Sequence, residues 1–273
     1  MRRALLALTI AFLLLVAAAA CSGGGSKATD DPVTTADTTP SAAQPSKPAP
    51  AAQGGQSKLP VGSQPVHLDP ATFSSRIDNP YWPMTPGNHW VYRETDGQGE
   101  SQRIEVTITK RTKMIMGIPS RVVHDIASKG GQVVEDTFDW YAQDAEGNIW
   151  YMGEDTKEYE NGKVVSTEGS WQAGVDGAQP GILLPAHPAP GMAYRQEYYK
   201  GQAEDAAAVL SLNMKAKVPL GVYDHLLTTR EHTPLEPKVL EQKFYAKGVG
   251  QVLALTVSGG GGREELLTFD RVG

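Results

Sequence analysis

Arg103-Ile104-Glu105-Val106-Thr107-Ile108-Thr109 sets the fold class. Isoleucine and valine hold every second position, and glutamate and threonine hold the others. A period of two is that of an antiparallel strand with one face inward and one outward. Working outward, Phe138, Trp140 and Ala142 share one face of the next strong strand, with Asp139, Tyr141 and Gln143 opposite. The aromatic face is expected to be the core face. Ala145-Glu146-Gly147 then closes a hairpin into Asn148-Ile149-Trp150-Tyr151-Met152, its glycine suited to the left-handed position of a G1 bulge. Asn161-Gly162 marks a further tight hairpin. Only Ala203–Leu210 has the composition for two turns of helix.

The chain also matches itself at an offset of 104. Pro86-Gly87 falls on Pro190-Gly191, Trp90 on Tyr194, Val122-Val123 on Leu226-Leu227, and Trp140-Tyr141-Ala142 on Phe244-Tyr245-Ala246. After one deletion, Gly147-Asn148-Ile149 falls on Gly250-Gln251-Val252. A period this long is a duplicated β-module and not a solenoid repeat. The expected fold is all-β with very little helix. A duplicated antiparallel meander, residues 86–153 and 190–257, would form a large curved sheet, half-barrel or barrel. Two packed β-domains are the alternative. Residues 154–189 form an unrepeated insert, and Pro180-Gly181-Ile182-Leu183-Leu184-Pro185 within it reads as an apolar flap.

The β-rich part spans 65–273. Ahead of it, Ser22–Gln64 is Ser, Thr, Ala, Pro, Gly and Gln with almost no large apolar side chain, the composition of a disordered tether. Residues 65–273 carry 20 Lys and Arg against 28 Asp and Glu, a net charge of −8. That charge argues against a nucleic-acid partner. Cys21 is the only cysteine in 273 residues, so no disulfide or thiolate metal site is expected.

Residues 1–20 have a charged start, Met1-Arg2-Arg3, and then the apolar run Ala4–Ala20. Ala18-Ala19-Ala20-Cys21 resembles the lipobox of bacterial lipoproteins, with Ala18 where that family usually has leucine. The resemblance implies cleavage before Cys21, acylation of its sulfur, and a domain lipid-anchored to a membrane of the cell envelope on the extracytoplasmic side. From Ile77 onward the chain resembles a set of uncharacterised secreted bacterial proteins. The shared residues are Asp78-Asn79-Pro80-Tyr81-Trp82-Pro83, Pro86-Gly87 with Trp90 and Tyr92, Asp139 to Asp144, Gly147 to Tyr151, and Gly153-Glu154. A looser likeness, of architecture alone, is to half-barrel lipid-carrying envelope lipoproteins.

Chemistry-bearing residues are sparse in pattern. The six histidines make no HxH or HExxH spacing, and no nucleophile elbow or phosphate loop occurs, so no metal, cofactor or nucleophilic triad is expected. Glu135, Asp136 and Asp139 precede Trp140, while Glu154, Asp155, Glu158 and Glu160 follow Tyr151. Across a hairpin these two groups could face each other, as a solvated acidic rim, as the paired carboxylates of a glycosidase or sugar-binding cleft, or as a Ca²⁺ site, although no Asp-x-Asp-x-Asp-Gly loop is present. Candidate ligand-binding residues are Trp150, and Trp171, Asp176 and His187 in the insert. The expected function is non-catalytic binding of a lipid, a glycan or an envelope protein. A carboxylate-based wall glycan hydrolase and a purely structural spacer are the alternatives.

Overall fold

A computed structural model describes residues 59–272; the signal, Cys21 and most of the tether lie outside the described residues. Its strands run β1 (Phe73–Ser74), β2 (His89–Thr95), β3 (Ser101–Ile115), β4 (Ile118–Lys129), β5 (Gln132–Asp144) and β6 (Ile149–Glu160). Then come β7 (Lys163–Ser166), β8 (Trp171–Gln172), β9 (Gln179–Leu184), β10 (Ala193–Arg195) and β11 (Glu197–Tyr198). The last five are β12 (Ala206–Val218), β13 (Gly221–His232), β14 (Leu240–Ala246), β15 (Gly250–Ser258) and β16 (Arg263–Asp270). Ala203–Leu210 is not helix: most of it lies in β12, where pairing with β13 outweighs the helical propensity of its alanines.

Neighbouring strands pair antiparallel in the order β10-β12-β13-β14-β15-β16-β2-β3-β4-β5-β6-β9-β11. The two ends of that list are one stretch of chain. Ala193–Arg195 pairs with β12, and Glu197–Tyr198, one residue further on, pairs with β9. The sheet is therefore a nearly closed barrel, with its seam at Gln196. Leu59–Gly273 groups as one compact unit, so the described chain is not two separate β-domains.

The insert completes the wall. Its apolar stretch is β9, buried between β6 and β11, and not a flap. An added Cβ at Gly181 would collide with the backbone of Arg195 and Gln196, so glycine here lets the seam pass directly over β9. Wall-building also reaches upstream of Pro65. The Arg195 N–H donates to Pro60 O at 2.7 Å, and its guanidinium to Gly62 O (2.7 Å), Gln64 O (2.8 Å) and Pro180 O (2.9 Å).

In β3 the alternation points as read: Ile104, Val106 and Ile108 are buried on the inner face. In β5 the inside is the opposite of what was expected. Glu135, Thr137, Asp139 and Tyr141 face inward, while Phe138 and Trp140 lie on the outer face. The outer face is covered as well. Lys113 Nζ sits 3.2 Å above the Trp140 ring, the Arg111 guanidinium 5.3 Å above Phe138, and His124 stacks on Phe138 at 4.2 Å. With both faces covered, apolarity does not say which one is inside.

A bulge re-aims β6. Tyr141 pairs with Tyr151 but Trp140 pairs with Gly153, so Met152 is extra and both Tyr151 and Glu154 point inward. A like bulge occurs where Phe244 pairs with Leu253 and Tyr245 with Gln251. The two hairpins differ in length: seven residues lie between Ala142 and its partner Trp150, three between Ala246 and Gly250. Gly250 thus stands across its hairpin as Trp150 does, and not in the place of Gly147.

Candidate functional site: a mouth cavity above an acidic interior

Part of the secreted-protein resemblance, Asp78, Asn79, Gln143, Asp144 and Gly147 to Trp150, is brought together at one rim. Gln143 Oε1 accepts the N–H groups of Asp78 (2.9 Å) and Asn79 (3.0 Å), and its Nε2 donates to Asp78 Oδ1 (2.8 Å). Asn79 Nδ2 donates to Gly147 O at 3.0 Å. Asp144 accepts from the N–H groups of Glu146 and Asn148 and from Trp150 Nε1 at 2.8 Å. These contacts fix the segment before β2 against the β5–β6 turn. Between that junction, the chain at 186–188, Leu212 and Lys247 lies an open cavity of about 520 Å³.

Its lining mixes Asp78, Gln143, Glu146, His187 and Lys247 with Pro80, Tyr81, Pro188 and Leu212. Lys247 is exposed, its ammonium 5.4 Å from the Tyr81 ring centroid. His187 is exposed at the rim. The other candidates lie elsewhere. Trp150 is buried edge-on to Phe73 at 5.9 Å. Trp171 is buried edge-on to Tyr151 at 5.2 Å, its N–H directed at Glu197 without a well-formed hydrogen bond. Asp176 is in an exposed turn at φ 49°. Only His187 of the four lines the cavity. Tyr81 lies in the shared pattern, but Lys247 carries no motif, and the Gly248 N–H, donating to Pro80 O at 2.7 Å, ties its turn to the Tyr81 segment.

Beneath the mouth, the acidic groups expected at a solvated rim are in part inside the barrel. Asp139 pairs with Glu154 and Glu135 with Glu158, so the two groups do face each other across the hairpin. Asp139, Glu154 and Glu135 are buried; Asp136 is outside, 2.8 Å from His124 Nε2. They belong to a larger set. Ten carboxylates are buried among the described residues (Glu94, Asp125, Glu135, Asp139, Glu154, Glu197, Asp205, Glu231, Glu241 and Glu264) against three cationic side chains, Arg121, Arg195 and Lys243. Glu264 stands across from Glu94 and Glu231 across from Glu241.

Their partners are chiefly neutral donors. Tyr151 OH donates to Asp139 Oδ1 at 2.8 Å, Thr156 to Glu154 at 2.8 Å, Gln251 to Glu264 at 2.5 Å, and Gln102 to Glu94. Lys243 pairs with Glu231 at 2.8 Å. Oxygens of Glu154, Glu197, Asp205, Glu241 and Glu264 are buried with no hydrogen-bond partner. Burial disfavours the charged form, which raises Glu94, Glu135 and Glu241 to about 7 and drives Asp125, Glu154, Glu197 and Glu264 well above the usual range. At Lys243 burial acts the other way, but Glu231 and Glu241 outweigh it and raise its pKa. The interior is thus an acid network rich in protons near neutrality.

No protein-family model matches the chain, and no curated protein matches it. Two solved structures are similar in fold. One is a protein assigned as a lipoprotein from Parabacteroides distasonis ATCC 8503, 11% identical over 70% of this chain and 98% of that one, TM-score 0.39. The other is a protein assigned as exported, with a YmcC-like fold, from Bacteroides fragilis NCTC 9343, 11% identical over 70% of this chain and 99% of that one, TM-score 0.40. At that similarity they bear on neither ligand nor activity. Among the described residues, no helix is long and apolar enough to cross a membrane.

Proposed function

We propose that the chain is an envelope lipoprotein, anchored through Cys21, whose β-domain binds a short glycan in the mouth cavity without catalysis. The observation that carries this is the mixed lining: carboxylate, amide, imidazole and ammonium groups interleaved with Pro80, Tyr81, Pro188 and Leu212. Sugars present hydroxyls at their edges and apolar C–H faces, which such an alternation suits. A lipid chain calls for an apolar cavity, and here ten buried carboxyl groups are set among the apolar side chains of the interior. A hydrolase must bring two carboxyls to its substrate, whereas Asp139 and Glu154 are buried, Asp139 beneath the Tyr151 hydroxyl.

The test is calorimetric titration of the protein with soluble peptidoglycan fragments. Lys247→Ala should weaken binding about 10- to 100-fold, the loss of a hydrogen bond from a charged group. Unchanged affinity would remove the cavity from the reading, and turnover of the fragments would make the domain an enzyme. For the anchor, Cys21→Ser should move the protein out of washed membranes; retention there would contradict it.

A further inference from the structure

The barrel's shortest junction lies beside buried acids. At the seam, β11 is held to β9 by two residue pairs, Glu197 with Pro180 and Tyr198 with Gln179, and β10 to β12 by three. Glu197 is completely buried beside this short junction, and neither of its carboxyl oxygens has a hydrogen-bond partner. Asp205, whose carbonyl accepts the N–H groups of Gln196 (2.7 Å) and Glu197 (3.3 Å), and Glu154 and Asp139, from β6 and β5 on the far side of β9, act on Glu197 electrostatically.

Of the other charged groups around this cluster only Lys243 opposes its negative charge, and it does so at Asp205. From β5 and β6 come Glu135 and the hydroxyls of Tyr141 and Tyr151; from β4, Asp125; from β8, only the Trp171 N–H. On the far side, Lys243 of β14 lies near Asp205, but Glu231 and Glu241 hold it, and Glu236 adds negative charge. Arg195, two residues from Glu197, commits its guanidinium to the carbonyls of Gly62, Gln64 and Pro180. No three His, Cys, Asp or Glu side chains among the described residues converge as metal ligands do.

We propose that barrel closure is proton-dependent: Asp139, Glu154, Glu197 and Asp205 hold the seam shut as neutral acids. When they ionise, they push β11 off β9, and Arg195 releases the segment at 60–64. Each step is loss of a carboxyl proton to water, followed by repulsion between carboxylates in a medium that screens poorly. Burial raises all four groups, Asp139 and Asp205 to about 7 and Glu154 and Glu197 well above the usual carboxylate range, so ionisation sets in as pH climbs through about 7. The segment released is continuous with the residues that lead back to Cys21, so opening would also lengthen the linker ahead of the barrel.

Hydrogen–deuterium exchange of the full chain in detergent tests this, with rates corrected for the intrinsic pH dependence of amide exchange. Protection of β9 and of 195–198 should fall at least about tenfold between pH 6 and pH 8.5, while β3 and β4 keep theirs. Glu197→Gln, neutral at every pH, should hold the seam protected at pH 8.5; Glu154→Gln should do so in part. Seam protection that does not change with pH overturns the proposal. So does a Glu197→Gln chain as pH-sensitive as wild type. Restoration of wild-type protection at pH 8.5 by millimolar Ca²⁺ or Mg²⁺ would show that a cation, not a proton, neutralises the cluster, and would equally overturn it.

Discussion

At Gly153 the backbone takes φ 127°, and the carbonyl oxygen of Trp171 occupies the space where a Cβ would stand. That glycine makes the β6 bulge possible, and the bulge turns Glu154 inward beside Asp139. Two costs therefore meet in Gly153→Ala: a strained φ of about 1–3 kcal/mol, and displacement of β8 from β6. We expect a loss of at least about 2 kcal/mol in urea unfolding. A neutral outcome would mean that β8 is not needed to hold the bulge. Glycines with open surroundings, such as Gly130 and Gly131, meet no neighbouring atoms, and their turn conformation alone would set the cost there.

Among the elements, β9 joins the two ends of the sheet, because it pairs with β6 on one side and β11 on the other. Gly181 sets how closely the β10–β11 stretch crosses it. Gly181→Ala forces backbone from backbone, with no flexible side chain to yield, and overpacking of this kind costs about 1–3 kcal/mol. In a domain of this size that is a fall in Tm of several degrees, about 2–4 °C per kcal/mol. Limited proteolysis should also show new cleavage between Gln179 and Tyr198, since the seam is the shortest junction in the ring. Cleavage confined to the exposed turn at 174–177 would locate the weak point outside the seam.

For the whole molecule, the buried acids fix the sign of the pH dependence. A carboxyl whose folded pKa is raised binds its proton more tightly when folded than when unfolded. Its contribution is complete below the ordinary carboxylate range and is lost as pH climbs through the raised value, about 7 for Glu94, Glu135 and Glu241. Glu105, lowered chiefly by its hydrogen bond from Arg103, works in the opposite sense, but it lies at the surface and contributes little. Thermal melts should therefore give a higher Tm near pH 5 than at pH 8.5, and the fall should persist in high salt, which screens buried charges least. A Tm that rises from pH 5 to pH 8.5 would mean that the network is ionised and compensated within the fold.

The period of two from Arg103 to Thr109 determined an all-β antiparallel fold without any coordinates, and the turn residues located its hairpins, because both are written within a few adjacent residues. The facing of Asp139 and Glu154 was legible for the same reason, since one short turn sets that register. Three matters lay beyond the sequence. Alternation divides a strand into two faces but does not say which is inside when Lys113, Arg111 and His124 cover the outer one, as they do on β5. The insert resembled a flap until β9 was seen to join β6 to β11, a pairing between segments far apart in the chain. The mouth cavity gathers Asp78, Gln143, His187, Leu212 and Lys247 from five separate stretches. Local patterns decide which residues become strands; only the closure of the sheet on itself decides which side chains share an interior, and hence which acids must keep their protons.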